Sequence, residues 1–265
     1  MPKLEIITRY PTGTPKGRPL LFVHGAFSHA GIWDVHFLPY FAERGYVAHA
    51  LSLRGHGGSE GHGLLPWASL SDYVADLADT VNGLAVKPVL VGHSLGGMVV
   101  QRYLRTGAKV PGAVLMASAP PYGMWDSTLG MAFRDPLLVH QLTMLMTFGP
   151  GMVNIGAVRR AMVSERVPDS ELAQYESLFQ AESQRVMVDM IAFDPFSWLP
   201  APSLPVLVLG AELDAFLSPG QISTTARAFG TKAIVFPDMA HCMMIEPDWH
   251  TVADTIADWV DGLKD

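Results

Sequence analysis

The chain has 265 residues, of which 49% are apolar and 16% are charged, and its formal net charge is −7. This length allows one α/β domain with an insertion, and the high apolar fraction argues against disorder. The acidic balance, without a cluster of Lys or Arg, disfavours nucleic acid and anionic membranes as partners.

The single cysteine, Cys242, excludes an internal disulfide framework. The first ten residues lack the apolar segment of a signal peptide, and no apolar run in the sequence reaches membrane-spanning length. We therefore expect a cytoplasmic protein that does not associate with a membrane. The sequence allows a homodimer.

The first half of the chain alternates short apolar strands with helices of amphipathic spacing. Strands are predicted at residues 4–10, 20–23, 47–53, 88–91 and 112–118, and helices at 33–44, 70–84 and from residue 96 onwards. This alternation predicts a mostly parallel sheet with helices on both faces, in which ligands bind beyond the carboxyl ends of the strands. His24, Ser94 and Ser118 fall at such ends.

The alternation stops between residues 121 and 202, where no buried-strand pattern occurs. Helices are predicted there at 136–148, 153–163, 170–181 and 184–193. We therefore predict a core domain formed by residues 1–120 and 203–265, with a helical cap inserted at 121–202. The cap is rich in Met and aromatic residues, which suits both an ordinary helix–helix core and a substrate-facing wall.

The alternation resumes after the cap. Strands are predicted at 205–210 and 232–236, and helices at 221–229 and 249–263.

A G-x-S-x-G sequence, Gly92-His93-Ser94-Leu95-Gly96, joins a predicted strand to a predicted helix. A serine on such a sharp turn is held in a strained conformation with its hydroxyl exposed above the sheet edge. The helix then directs its first N–H groups towards the serine, which makes the Leu95 N–H a candidate oxyanion donor. A glycine-rich loop of a Rossmann-like unit is the alternative interpretation of the motif.

A serine hydroxyl becomes a nucleophile when a base takes its proton, and the base needs a partner that orients it. The order expected on this sheet is serine, acid, histidine. Asp214 follows the strand after the cap and His241 follows the last strand, which predicts a Ser94–His241–Asp214 triad. Glu212, in the same turn, and Asp126, after the preceding strand, are rival candidates for the acid.

These motifs together resemble the α/β-hydrolase superfamily over nearly the whole chain, in particular its serine esterases and lactonases with a helical cap. HGAF at 24–27 resembles the family's oxyanion turn, which implies the Ala26 N–H as second donor. RGHGGS at 54–59, GAELD at 210–214 and AHCMMIEP at 240–247 resemble its glycine-rich, acid and histidine turns. Ser52 stands where many members have Asp, and Ala240 where glycine is usual.

The resemblance implies an α/β-hydrolase fold and hydrolysis of a carboxylic ester or lactone through an acyl-enzyme. The serine nucleophile argues against haloalkane dehalogenases and epoxide hydrolases, which use aspartate, and Cys242 stands where similar hydroxynitrile lyases carry lysine. No cofactor is implied, and the histidines lack metal-ligand spacing. Thioester hydrolysis, carbon–carbon bond hydrolysis and cofactor-free perhydrolysis remain alternatives on the same triad. A small-molecule receptor with slow turnover is an alternative of another class.

We expect a small, uncharged substrate that is apolar near the scissile bond, because no convergent Arg or Lys is evident. His24 is expected to shape the oxyanion turn, and His93 to pack or form a hydrogen bond. The residues predicted to contact the substrate are Phe27, Trp125, Met144, Phe148, Leu217 and Met243.

Overall fold

The computed structural model describes residues 2–148, 161–192, 194 and 201–264. It contains a seven-stranded sheet with the strand order β1-β3-β2-β4-β5-β6-β7. β1 runs antiparallel to β3, and each of the other neighbouring pairs is parallel, as the sequence predicted. The strands span Ile6–Arg9 (β1), Leu20–Val23 (β2), Ala48–Leu51 (β3), Val89–His93 (β4), Ala113–Met116 (β5), Val206–Ala211 (β6) and Ala233–Phe236 (β7).

Helices connect these strands and pack on both faces of the sheet. The described α-helices span Gly31–Asp34 (α1), Phe37–Glu43 (α2), Leu70–Gly83 (α3), Leu95–Arg105 (α4), Trp125–Arg134 (α5), Pro136–Phe148 (α6), Asp169–Tyr175 (α7), Gln184–Ile191 (α8), Pro219–Ala228 (α9) and Trp249–Asp261 (α10). Short 3₁₀ segments occur at His62–Trp67, Glu176–Leu178 and Met243–Ile245. None of the described helices combines the length and the apolar character needed to cross a bilayer.

The core is divided by the sheet into two apolar clusters, because successive strand side chains point to opposite faces. In β2, Leu20 and Phe22 pack with α1, α2 and α10 on one face. Leu21 and Val23 pack with α3, α4 and α9 on the other face. Both faces are covered, which explains why the central strands are continuous apolar runs.

Three helices differ from the sequence prediction. The predicted helix 33–44 is divided into α1 and α2, because the backbone of His36 leaves the helical region at φ −133°. α5 was not predicted, since it begins after Met124 without a side-chain cap. The predicted helix 170–181 ends early, because Phe179 is extended. Most of the predicted helix 153–163 lies outside the described residues.

Between β5 and β6 the described residues form helices and turns, in agreement with the predicted absence of strands. The division into a core (1–120 and 203–265) and a cap at 121–202 stays a prediction. We use the name cap segment for residues 121–202 below.

The close approach of α4 to the end of β2 yields a stability prediction. A methyl group at Gly96 would collide with the carbonyl oxygens of Val23 and His24. We expect Gly96→Ala to lower the free energy of unfolding by about 1–3 kcal/mol, the usual cost of overpacking. The midpoint of urea unfolding measures this change.

Gly83→Ala is the matched control, since Gly83 lies in α3 with open space around the position of a new methyl group. It should raise the free energy of unfolding by about 0.5–1 kcal/mol, because alanine loses less backbone entropy in a helix. Equal effects of the two substitutions would contradict the close-packing argument.

Candidate active site

Ser94 lies at the junction of β4 and α4 in a conformation that few residues adopt. Its φ of 52° and ψ of −116° fall outside the populated regions for an L-residue, at a cost on the order of 1–3 kcal/mol. The backbone is held on both sides: its N–H donates to the Met116 oxygen at 3.1 Å, and its oxygen accepts from Ala119 N–H at 3.2 Å. These bonds to the end of β5 keep the serine at the carboxyl edge of the sheet.

Asp214 and His241 form a hydrogen-bonded pair at the same edge. His241 Nδ1 lies 2.8 Å from Asp214 Oδ2, and both side chains are almost completely buried. The other carboxylate oxygen, Oδ1, accepts from the backbone N–H groups of Phe216 at 2.8 Å and Leu217 at 3.0 Å. Because the carboxylate accepts, Nδ1 carries the proton, and Nε2 is left as the ring atom that can accept one.

The carboxylates of the two rival acids form hydrogen bonds with groups other than His241. Glu212 Oε2 accepts from Asp238 N–H at 3.4 Å. Asp126 accepts from the Tyr122 hydroxyl at 3.1 Å and from Ser127 N–H at 2.7 Å. Of the three acids considered from the sequence, Asp214 is therefore the one hydrogen-bonded to His241.

The elbow and the histidine loop are connected through His93. Its Nε2 lies 3.0 Å from the carbonyl oxygen of His241, and the two rings are 4.7 Å apart between centroids. A carbonyl oxygen only accepts, so His93 is the Nε2–H tautomer. Burial, followed by repulsion from His241, holds the pKa of His93 well below its ordinary value, so the ring is neutral. This bonding role agrees with the sequence prediction for His93.

Ser94 Oγ and His241 share no hydrogen bond among the contacts of the described residues. Contacts of this type are often long before substrate binds and shorten in the reacting complex. Their direct contact therefore stays a prediction.

The turn after β2 lies against the elbow. A methyl group at Gly25 would lie 3.1 Å from Ser94 Cβ, so the turn closely approaches the serine. His24 fixes this turn: its Nδ1 donates to the Gly25 oxygen at 2.8 Å, and its Nε2 accepts from Leu53 N–H at 3.1 Å. Burial lowers the pKa of His24 to about 3, which keeps the ring neutral in this role. The ring therefore contacts the turn that the sequence prediction assigned to it, and the role of that turn in binding an oxyanion stays a prediction.

Ala26 and Leu95 carry the predicted oxyanion donors. Leu95 is the first residue of α4, where a helical N–H has no partner within its own helix. In the described part of the chain, neither the Ala26 N–H nor the Leu95 N–H donates to a protein acceptor. Both groups therefore have the capacity to bind a developing anion.

The residues predicted to contact substrate occupy different environments. Leu217 and Met243 are fully buried in the clusters on opposite faces of the sheet, and Trp125 is 47% exposed on α5. Phe27 and Met144 are half-buried, and the side chain of Phe148 lies outside the described residues. Their contact with substrate stays a prediction.

Phe216 was not identified from the sequence as a site residue, although its ring contacts the ring of His241. Its ring packs edge-on against the His241 ring with 4.8 Å between centroids. It also contacts the cluster formed by Met131, Leu138 and Ala161, which belongs to the cap segment. Phe216 therefore joins the loop that carries Asp214 to the cap segment, and only its position two residues after Asp214 could have indicated this.

Cys242 directly follows the histidine in the sequence. It is buried, and burial, with Asp214 as a further cause, raises the pKa of its thiol, so the reactive thiolate is disfavoured. Within the described ranges, no group of three or more His, Cys, Asp or Glu side chains has the geometry of a metal site.

The cap segment is tied to the histidine loop by backbone and buried polar contacts. Cys242 N–H donates to the Met162 oxygen at 2.7 Å. The buried carboxylate of Glu246 accepts from both the N–H and the hydroxyl of Ser164, each at 2.6 Å. The loop that carries His241 is therefore held by the cap segment as well as by the core.

Known proteins similar to this chain include ester hydrolases. A monoacylglycerol lipase of Mycolicibacterium smegmatis is 25% identical over 94% of this chain and 90% of the relative. A pimeloyl-acyl-carrier-protein methyl ester esterase of Nitrosomonas europaea is 34% identical over 46% of this chain and 49% of the relative.

Among solved structures, a thermophilic esterase from Thermogutta terrifontis superposes with a TM-score of 0.77 at 22% identity, covering 99% of this chain and 94% of that one. At this identity the likeness concerns the fold. The model of the alpha/beta hydrolase family matches residues 20–255. The chain therefore belongs to the alpha/beta hydrolase family.

Proposed function

We propose that this protein is a carboxylic ester hydrolase in which Ser94 is the nucleophile, His241 the general base and Asp214 the residue that orients the histidine. The observation that carries the proposal is the 2.8 Å bond between His241 Nδ1 and Asp214 Oδ2, at the same sheet edge as Ser94 with its φ of 52°. Two relatives with esterase or lipase names support the reaction class.

The reaction proceeds in two halves. Ser94 Oγ attacks the carbonyl carbon while His241 Nε2 takes its proton, and the N–H groups of Ala26 and Leu95 stabilise the resulting oxyanion. The bond to the alcohol oxygen breaks, and His241 returns the proton to the leaving alcohol. Water, deprotonated by His241, then attacks the acyl-enzyme, the carboxylic acid leaves, and Ser94 regains its proton.

The substrate is a small ester or lactone that is apolar near its carbonyl group. Phe216 covers one side of the His241 ring. Ala26 and Phe216 pack onto the same apolar cluster as Met124 and Met187. Apolar, adaptable side chains of this kind suit a pocket for an alkyl or aryl group.

Replacing the nucleophile tests the proposal directly. Ser94→Ala should lower kcat for p-nitrophenyl butyrate by on the order of 10⁶, because no other group at the site can form the acyl-enzyme. Initial rates and labelling by a fluorophosphonate probe measure the loss. Ser223→Ala, on the exposed face of α9, is the control. It should keep the wild-type initial rate and the wild-type labelling by the probe. A wild-type burst without sustained turnover would instead indicate a receptor.

The role of Asp214 is tested against its neighbour in the same turn. Asp214→Asn should lower kcat by about 10⁴-fold, because an amide at this position favours the wrong histidine tautomer. Glu212→Gln changes a carboxylate to an amide without touching His241 and should leave kcat close to wild type. A larger loss in Glu212→Gln than in Asp214→Asn would overturn the assignment of the acid.

The apolar substrate is tested with a series of p-nitrophenyl esters. We expect kcat/KM for the p-nitrophenyl esters of butyrate and hexanoate to exceed that for the p-nitrophenyl monoester of succinate. The free carboxylate of the succinate ester would lose its water against Phe216, which is costly. Phe216→Leu should change the chain-length preference. Phe229→Leu, at the far end of α9, should not. A preference for charged acyl groups would refute this substrate class.

A further inference from the structure

The peptide groups of Phe27 are held from both sides by an extended stretch of the cap segment. Gln180 N–H donates to the Phe27 oxygen at 2.8 Å, and Phe27 N–H donates to Glu182 Oε2 at 3.3 Å. Phe27 has a φ of 63°, in the left-handed region that favours glycine. A non-glycine residue stays in this conformation when surrounding contacts over-determine it.

The side chain of Glu182 is completely buried at the centre of a polar cluster. Its Oε1 accepts from the Tyr73 hydroxyl at 2.7 Å and from Ser183 N–H at 2.6 Å. His56 Nε2 lies 3.3 Å from Oε2, as an ion pair rather than an aligned hydrogen bond. A buried carboxylate is costly unless it is paired in this way.

The cluster is built so that the carboxylate stays charged. Burial alone would raise the pKa of Glu182, but His56, Tyr73 and Ser183 together lower it below its ordinary value. His56 Nδ1 donates to the Arg54 oxygen at 3.0 Å. Burial lowers the pKa of the His56 ring, but Glu182 and the backbone oxygens of Arg54 and Leu53 together raise it above its ordinary value. The anion therefore remains available as an acceptor for the Phe27 N–H.

We propose that Glu182 is a positioning residue that fixes the oxyanion turn, so that the Ala26 N–H is aimed at the developing oxyanion. This inference rests on the proposed esterase function. Glu182 holds the peptide group that joins Ala26 to Phe27. The Ala26 N–H lies in the adjacent peptide group, on the other side of the Ala26 Cα, so a rotation of the held group would be passed on to the donor. An oxyanion donor has to lie about 2.7–3.1 Å from the oxyanion, so a small displacement of the turn weakens it. The contacts of Gln180 and Glu182 with Phe27, called the clamp below, therefore act on catalysis through geometry.

The decisive variant is Glu182→Gln, which keeps the side-chain shape but removes the charge. We expect kcat to fall by about 10- to 100-fold, towards the effect of losing one oxyanion donor, while KM changes far less. The affinity for a trifluoromethyl ketone, which forms a tetrahedral oxyanion on Ser94, should fall in parallel. The affinity for an uncharged ground-state amide should not.

Asp189→Asn is the matched control. Asp189 also lies in the cap segment and accepts a core backbone N–H, that of Leu70, at 3.0 Å, but it does not touch the oxyanion turn. It should keep the wild-type kcat and the wild-type affinity for the trifluoromethyl ketone.

Tyr73→Phe removes one donor to Glu182 and provides a milder test if Glu182→Gln does not fold. It should lower kcat by about 2- to 10-fold with the same pattern.

Hydrogen exchange of the Phe27 amide, measured by NMR, tests the clamp without reference to activity. Exchange should accelerate in Glu182→Gln and in Tyr73→Phe, but not in Asp189→Asn. Unchanged protection in a folded Glu182→Gln variant, or an equal loss of affinity for all ligands, would overturn the inference.

The two proposals fail in distinguishable ways. An inactive wild-type protein, or full activity in Ser94→Ala, would defeat the esterase proposal, and the Phe27 exchange rate would still decide whether Glu182 holds the turn. An active wild type, an inactive Ser94→Ala and a Glu182→Gln variant identical to wild type would defeat the clamp alone.

Discussion

The constraint on which the site depends is the close packing of helix α4 against strands β4 and β2. Gly92 touches the start of α4, and Gly96 touches the end of β2, and neither contact leaves room for a side chain. The chain must therefore turn from strand to helix within one residue. That residue is Ser94, and its unusual backbone angles follow from the packing rather than from any preference of serine.

The parallel register then assembles the rest of the site. β2 and β4 are neighbours, so the turn that begins at His24 lies beside the elbow. β6 and β7 lie on the other side of β5, and their carboxyl ends carry the loops of Asp214 and His241. Five successive strands are therefore enough to bring together residues that are up to 217 positions apart, from His24 to His241.

The sheet could be predicted from the sequence because most of its strands are short, continuous apolar runs that end at glycines or polar turns. The described helices in the cap segment were harder to predict from the sequence. α5 has no capping residue. The helix predicted at 170–181 ends because Phe179 must be extended for Gln180 to reach Phe27, a contact across more than 150 residues that no local pattern encodes. Tertiary contacts overrode helical spacing in that stretch.

The site shows the same division. Ser94, Asp214 and His241 could be proposed because each follows a strand within a recognisable turn. Glu182 and Phe216 could not, because a lone glutamate between helices and a phenylalanine in a loop have no distinctive spacing. Their roles depend on which distant groups they touch: Tyr73 and His56 for the glutamate, and the His241 ring for the phenylalanine.

The way in which the cap segment is fastened restricts how a substrate can reach the serine. A rigid swing of the whole insertion would break the Met162–Cys242 and Ser164–Glu246 bonds behind the histidine as well as the contacts of Gln180 and Glu182 with Phe27. Displacement of α5 and α6 alone would break the Ser127–Gln221 bond and the contact of Phe216 with Met131 and Leu138, but would leave all of those bonds intact. A path for reactants and products along α5 and α6 would therefore leave the His241–Asp214 bond and the turn at Phe27 in place.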